Sequence, residues 1–302
     1  MSVAASPEPE LSAAQQRALL RGLLDDASLF PPRGLPMPAA VAAHVKHEGA
    51  WFCELTGPFV CPDIRIAELG RALIAANVSW IDLSLVVTGG AAAVNAATDA
   101  VAADARLRLR AIEVPAANAK EPAQAIADVV RALDSVPLAG ATGYVEIPLA
   151  AIAEPSAAGP LLDLVDQRGY RPKLRTGGVT PEAFPGEEML AACLVSVAGR
   201  RIPFKCTAGL HHAVRSTDQA SGLEQHGFLN VMLAVRASVD DADGDEVAAI
   251  LAERDPASVA AAVRALDEET AGQIRWLFTS FGTCSTDEPV ADLVSLGLLS
   301  QH

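Results

Sequence analysis

Lysine, aromatic residues and long apolar runs are scarce in this sequence. Four of the 23 basic residues are lysines, and aromatic residues make up 4% of a chain that is 51% hydrophobic. A core of this composition is built mainly from Ala, Val, Leu and Ile. No apolar run reaches the roughly 20 residues that a membrane-spanning helix needs, and the N-terminal stretch lacks the pattern of a secretory signal. We therefore expect a cytoplasmic protein without membrane contact.

Cysteine and positive charge are also limited. The five cysteines are scattered, odd in number and free of C-x-x-C pairs, which favours reduced thiols over a disulfide framework. The net charge of −14 opposes nucleic-acid binding, because phosphate contacts need a basic surface. The composition is compatible with a homo-oligomer.

Short β-like runs alternate with Ala/Leu-rich helical segments along the chain. This rhythm is typical of βαβ units and a parallel sheet. Seven strands are predicted, at residues 57–62, 80–90, 107–115, 142–148, 172–179, 202–209 and 274–285. We predict an α/β fold, a (β/α)8 TIM-type barrel, whose eighth strand is irregular or supplied near 229–239. An open doubly wound sheet is the alternative, but the first strand lacks the G-x-G-x-x-G loop of dinucleotide-binding folds.

The domain organisation follows from this rhythm. Residues 1–56 are expected to form an N-terminal helical extension and loop packed on the barrel, and residues 57–302 the barrel itself. Within the extension, "DDASLFPP" (25–32) places two acids before an apolar pair and two prolines. This segment either plugs the bottom of the barrel or covers its mouth as a lid.

Two glutamates occupy equivalent places in consecutive units. Glu113 and Glu146 each lie two residues before a proline that ends a strand. Since side chains alternate along a strand and helices cover the outside of a barrel, the flanking aliphatic residues face outward and both glutamates inward. Strand C-terminal ends form the face on which barrel enzymes build their active sites.

The same alternation directs other polar side chains into the barrel. Lys173 and Arg175 share the inward face of one strand, and Lys205 and Thr207 that of the next; Asp82 belongs to the polar set of an earlier strand. An unpaired interior charge costs several kcal/mol, so these groups must pair with each other or with a ligand. They form either a catalytic site or a salt-bridge network that only fills the interior.

Two loops extend the candidate site. In "RTGG", Arg175 and the backbone of Thr176, Gly177 and Gly178 suit the binding of an anionic group, although a tight turn explains the glycine pair equally well. In "TAGLHH", His211 is the candidate general acid or base and His212 a candidate substrate contact.

Further candidates lie outside this group. His44 and His47, three residues apart on one helix, form either a metal-binding pair or a solvated stripe. Cys284, at the end of the last strand, is either a packed thiol or one whose pKa is lowered by the following helix.

A lysine amine among apolar walls and beside another cation has a lowered pKa, which makes it a nucleophile or base at neutral pH. Lys205, with Lys173 on the preceding strand, fits this description, and Glu113 or Glu146 can transfer protons. We therefore predict a lyase or isomerase that acts on a small anionic carbonyl compound and needs no cofactor. The alternatives are a divalent-metal-dependent lyase or hydrolase using His211 or His212 with the glutamates, and a catalytically silent metabolite-binding barrel.

Parts of the sequence also resemble known groups of proteins. The stretches "DDASLFPP…MPAAVAAH", "LRTGGVTPEAFP" and "PFKCTAGLHHAVR…HGFLN" resemble a group of conserved bacterial proteins of unassigned function. The strand ends K-x-R-T-G-G and F-K-x-T-A-G are distantly similar to those of class I aldolase-type barrels, which carry a Schiff-base lysine on a strand. By this resemblance, Lys205 is the imine-forming lysine and Lys173 the neighbour that lowers its pKa.

Overall fold

The computed structural model describes residues 11–116, 120–219 and 221–301. The strands in this part of the chain are β1 (Leu24–Asp26), β2 (Thr56–Pro62), β3 (Ile81–Val86), β4 (Leu107–Pro115), β5 (Thr142–Glu146), β6 (Arg171–Arg175), β7 (Phe204–Thr207), β8 (Ser216–Thr217), β9 (Glu224–Gln225) and β10 (Phe278–Thr283). Eight of them form a closed parallel barrel in the order β1-β10-β7-β6-β5-β4-β3-β2, and β8 and β9 pair as a small antiparallel ribbon. The predicted (β/α)8 barrel is confirmed.

Helices surround the barrel. Those in the described residues are α1 (Ala13–Leu20), α2 (Met37–Glu48), α3 (Ile66–Ala75), α4 (Val94–Ala102), α5 (Pro122–Asp134), α6 (Leu149–Ile152), α7 (Pro155–Asp166), α8 (Glu187–Ala198), α9 (Phe228–Val239), α10 (Gly244–Ala252), α11 (Pro256–Arg264), α12 (Glu268–Leu277) and α13 (Asp287–Ser295). Short 3-10 turns lie at Cys53–Leu55, Asp63–Arg65, Gly90–Ala93 and Pro181–Ala183. Within these described stretches, every helix is too short or too polar to cross a membrane.

The apolar core lies between the barrel and its helices. Ile112 and Val114 of β4, and Val145 of β5, are fully buried there, as their alternation with Glu113 and Glu146 predicts. Burying these side chains against the helices leaves the opposite face of each strand directed into the barrel. The interior is therefore where the polar residues of the strands meet.

The eighth barrel strand is not near residues 229–239, as predicted, but at the start of the described chain. Residues 228–239 form α9, and the missing strand is β1, which pairs with both β10 and β2. The barrel therefore begins inside the segment that was expected to be an N-terminal extension. A three-residue strand with two acids carries no recognisable β pattern, and neighbouring strands rather than its own residues hold it in the sheet.

The last barrel strand is shorter than predicted. Residues 268–277 form α12, and the strand begins only at Phe278. Asp267 caps this helix by accepting a hydrogen bond from the backbone N–H of Thr270, and Glu268 and Glu269 follow in the first turn. The capping residue and acidic first turn favour a helix over a strand at this point.

Candidate active site

A cavity of about 180 Å³ opens among the C-terminal ends of the barrel strands. Glu113, Lys173 and Lys205 line its floor, and Val60, Val86 and Phe30 supply apolar wall. A small apolar cavity of roughly 150 Å³ accommodates benzene, so this space suits a compound of similar size. Its position matches the face on which barrel enzymes carry their active sites.

Lys205 lies at the bottom of this cavity, with 1% of its surface exposed. Its Nζ contacts the carboxylate of Asp25 and lies 2.7 Å from Oε1 of Glu113 and 5.3 Å from the centre of the Tyr144 ring. Asp25 also accepts a hydrogen bond from Ser280 at 2.9 Å. These contacts hold the amine between two carboxylates and an aromatic face.

Lys173 is the neighbour of Lys205 across the β6–β7 pairing. Its Nζ lies 2.6 Å from Oε2 of Glu113 and 2.9 Å from Oε2 of Glu146. The other oxygen of Glu146 accepts a hydrogen bond from Nε of Arg175 at 2.8 Å. Glu146 therefore joins the buried amine of Lys173 to the half-exposed guanidinium of Arg175.

The six charged groups form a single alternating chain from the rim to the floor. In order, they are Arg175, Glu146, Lys173, Glu113, Lys205 and Asp25. Three cations balance three carboxylates, so of the two alternatives from the sequence, pairing with each other or with a ligand, these residues show the first. Ser84 completes the chain from β3 by donating a hydrogen bond to Glu113 at 2.5 Å.

The pKa of Lys205 is raised, whereas the sequence-based hypothesis expects it to be lowered. Burial alone lowers the pKa of the Lys205 ammonium, but the carboxylates of Asp25 and Glu113 outweigh burial and raise it. Burial raises the pKa of Glu113, and the ammonium groups of Lys173 and Lys205 reverse this and lower it. The expected lowering of the Lys205 pKa is wrong, because Asp25 and Glu113 contact the amine and their effect exceeds that of burial.

His211 and Cys284 lie together in the cavity wall. Nδ1 of His211 is 3.7 Å from Sγ of Cys284 and 3.7 Å from Oε2 of Glu288. Burial lowers the pKa of His211 against the opposing effect of Glu288. Burial also raises the pKa of the Cys284 thiol, so a helix-lowered thiol pKa is not what this environment produces.

The segment 27–36 lies at the mouth of the barrel. Ala27, Phe30, Pro31 and Pro32 line the cavity, and backbone hydrogen bonds such as Leu35 N–H to Ser28 O at 2.9 Å hold the segment together. Of the two alternatives from the sequence, covering the mouth agrees with this position and plugging the bottom does not.

Several predicted substrate contacts take other positions. Asp82 lies 2.9 Å from Nε of Arg110 and does not line the cavity. It is the second residue of β3, and Arg110 is the extra residue of β4 between the partners of Leu83 and Ser84. His212 lies 3.0 Å from Asp292 and is partly exposed on the outer side of the mouth. Neither side chain meets the charged chain of the floor.

In the loop after β6, Thr176 and Gly177 make structural contacts, whereas Gly178 lines the cavity. Thr176 is fully buried and donates a hydrogen bond to the backbone oxygen of Ala208 at 2.5 Å. A Cβ at Gly177 would lie 2.5 Å from Cα of Gly209, so this glycine permits two backbones to touch. Gly178, Arg175 and Thr207 do line the cavity.

The alternative metal site receives no geometric support. His211 contacts Cys284 and Glu288, and His212 contacts Asp292, so neither reaches Glu113 or Glu146. In the described parts of the chain, no group of three or more His, Cys, Asp or Glu is arranged to hold a metal ion.

The second histidine pair is not a solvated stripe. His44 and His47 are both buried, and their Nδ1 atoms lie 3.0 and 3.9 Å from Oδ2 of Asp26. Burial raises the pKa of Asp26, but the hydrogen bond with His44 and the nearby imidazole of His47 outweigh this and lower it. The pair therefore ties α2 to the end of β1.

Sequence reasoning missed three contributors to the floor: Asp25, Tyr144 as a ring over Lys205, and Ser280. Asp25 was seen only as part of an acidic pair, because β1 was not recognised. Tyr144 lies two residues before Glu146 and so shares its face of β5, but the approach of its ring to a lysine amine depends on how β5 and β7 lie across the barrel.

Comparison of the chain with protein-family models and with curated proteins finds no match.

Proposed function

We propose that this barrel is a lyase or isomerase that forms a covalent imine between a floor lysine and a small anionic carbonyl compound. One observation carries the proposal: two lysine amines bridged by one carboxylate line a cavity of small-molecule size at the C-terminal face of the barrel. Buried ionisable groups that line a cleft and have shifted pKa values are candidates for a functional site.

The contacts favour Lys173 over Lys205 as the reacting amine. Lys205 lies between Asp25 and Glu113, which raise its pKa and hold it as an ammonium. Lys173 shares Glu113 with it, and its second partner, Glu146, has an alternative cation in Arg175. This reverses the roles that the sequence alone suggested: Lys205 supplies the fixed positive charge and Lys173 the nucleophile.

The reaction balances with the groups present. The Lys173 ammonium gives up one proton, through Glu146, to solvent at the rim, and the neutral nitrogen forms a bond to the carbonyl carbon. The carbonyl oxygen leaves as water after accepting one proton from nitrogen and one returned from solvent through Glu146. The electron pair of an adjacent C–H bond, or of a C–C bond next to a hydroxyl group, then moves into the iminium to give an enamine, and His211 in the wall takes the proton of that C–H or O–H group. Return of this proton to the enamine carbon regenerates an iminium, and water hydrolyses it to release the product and the free amine.

Arg175 favours an acid group on the substrate. Glu146 bridges Lys173 and Arg175 through its two oxygens, so the amine and guanidinium are one carboxylate apart. The contacts of Arg175 with described residues use its Nε, which leaves the terminal nitrogen atoms of the fork for a ligand. A 2-oxo acid places a carboxylate next to its carbonyl carbon and matches this spacing.

Borohydride trapping tests the proposal. The protein is incubated with pyruvate or a longer 2-oxo acid, reduced, and digested for mass mapping. We expect an adduct on Lys173, its loss in Lys173→Ala, and a weaker adduct at the same site in Lys205→Met. Absence of any adduct across the acids, together with saturable binding of one of them, overturns the proposal in favour of a silent binding barrel. An adduct on Lys205 in the wild type restores the roles inferred from sequence.

A further inference from the structure

A second pocket lies directly beside the catalytic cavity, on the same face of the barrel. It measures about 500 Å³ and is formed by the ends of β4, β5 and β6 together with the start of α8. Arg175 and Glu146 line it, and Arg175 lines the catalytic cavity as well. The ion pair between these two residues, 2.8 Å long, is therefore the boundary between the two spaces.

The wall of this outer pocket is mainly apolar. Its lining includes Ile147, Pro148, Leu149, Ala150, Pro185 and Met189. Met189 has 37% of its surface exposed, and Ala150 is exposed. The charged residues of the lining are Glu146, Arg175 and Glu182. A mainly apolar concave surface with a small number of polar groups is typical of a ligand-binding subsite.

The other side of the catalytic cavity has a different character. There, Pro32, His211 and Cys284 separate it from a groove that also contains Asp287 and Glu288. Arg33, Ser216, Thr217 and Gln219 also line this groove, so its surface is polar and offers little to an apolar group. An apolar extension of the substrate therefore fits the outer pocket better than this groove.

We propose that the outer pocket binds an apolar group of the substrate, so that the substrate class is a 2-oxo acid with an alkyl or similar apolar extension. This inference rests on the proposed function. The carbonyl carbon lies at Lys173 and the acid group at Arg175. The rest of the molecule passes Arg175 and lies against Leu149, Ala150 and Met189.

A chain-length series tests the inference. Pyruvate, 2-oxobutanoate and 2-oxohexanoate are trapped with borohydride at increasing concentration, and the half-saturating concentration is read from intact mass. Because each buried methylene contributes about a threefold to fourfold gain in affinity, we expect 2-oxohexanoate to saturate at about one-tenth of the concentration of 2-oxobutanoate. For each variant, the readout is the ratio of the half-saturating concentration of 2-oxobutanoate to that of 2-oxohexanoate.

Two variants assign the effect to the pocket. Ala150→Phe fills the pocket, and Met189→Gln adds polarity to an exposed position that folding tolerates; each is expected to reduce the tenfold ratio to less than about twofold. Ala96→Phe, on the exposed face of α4 and outside both pockets, is the matched control and keeps the ratio.

The outcomes are distinct. If affinity in the wild type stays constant or decreases as the acid becomes longer, the inference is overturned, while the adduct itself still supports the proposed function. A tenfold ratio that survives both Ala150→Phe and Met189→Gln also overturns it. No adduct with any of the three acids contradicts the proposed function instead.

Discussion

Lys173 and Lys205 are register partners on adjacent parallel strands, and their ammonium groups contact the two oxygens of one carboxylate, Glu113. Two like charges at this separation repel each other in a poorly solvated interior unless an anion lies between them. Glu113 is therefore the group on which both the stability of the floor and the placement of the amines depend.

Replacing Glu113 with Gln is expected to lower the free energy of unfolding by about 3–5 kcal/mol, the usual cost of removing one partner from a buried ion pair. Denaturant unfolding at pH 7 measures this loss. Glu68→Gln, which disrupts a solvent-exposed pair with Arg65, is the control and is expected to leave the free energy of unfolding nearly unchanged, because water screens this pair. Glu113→Gln leaves three cations against two carboxylates in the chain, and adding Lys205→Met restores equal numbers, so the double variant should recover part of the stability.

His226 is expected to make the protein less stable in mild acid. Its Nε2 donates a hydrogen bond to Pro185 O at 2.9 Å and its Nδ1 accepts one from Arg215 at 3.0 Å, which fixes the neutral ring. Burial, together with the guanidinium of Arg215, lowers the pKa of His226 from 6.5 to about 4. Between these values the unfolded chain binds a proton that the folded chain does not.

Stability contributed by the neutral ring is therefore complete above pH 6.5 and is lost as pH falls towards 4. The expected loss is about 2–3 kcal/mol. Unfolding measured at half-unit pH steps should show this slope in the wild type and a smaller slope in His226→Gln. Equal slopes in the two proteins would assign the acid sensitivity to other groups.

Gly177 is expected to tolerate no side chain. An added Cβ would lie 2.5 Å from Cα and 2.7 Å from N of Gly209, and backbone atoms cannot move aside cheaply. Gly177→Ala should therefore lower the free energy of unfolding by about 1–3 kcal/mol.

Gly272 provides the comparison, because it lies inside α12 with nothing within 4 Å of its added Cβ. Gly272→Ala should raise the free energy of unfolding by up to about 1 kcal/mol, since alanine favours the helix. Thermal and denaturant unfolding of both variants measure the contrast, and a stable Gly177→Ala protein would contradict the close backbone approach.

The sequence by itself determined the barrel and the inward direction of Glu113, Glu146, Lys173 and Lys205. Both follow from periodicity: strands and helices alternate at a constant spacing, and side chains alternate along each strand. These signals are local and need no knowledge of neighbouring strands.

Only the tertiary structure decided what those side chains meet. Asp25 reaches Lys205 from a strand 180 residues away in sequence, and with Glu113 it raises the pKa of the amine. Asp82 was assigned by the same alternation as Glu113, yet it lies near the start of β3 and pairs with Arg110, the extra residue of β4 at a register shift. Pairing between distant strands depends on barrel closure, stagger and register, which are collective properties of all eight strands and cannot be read from any one of them.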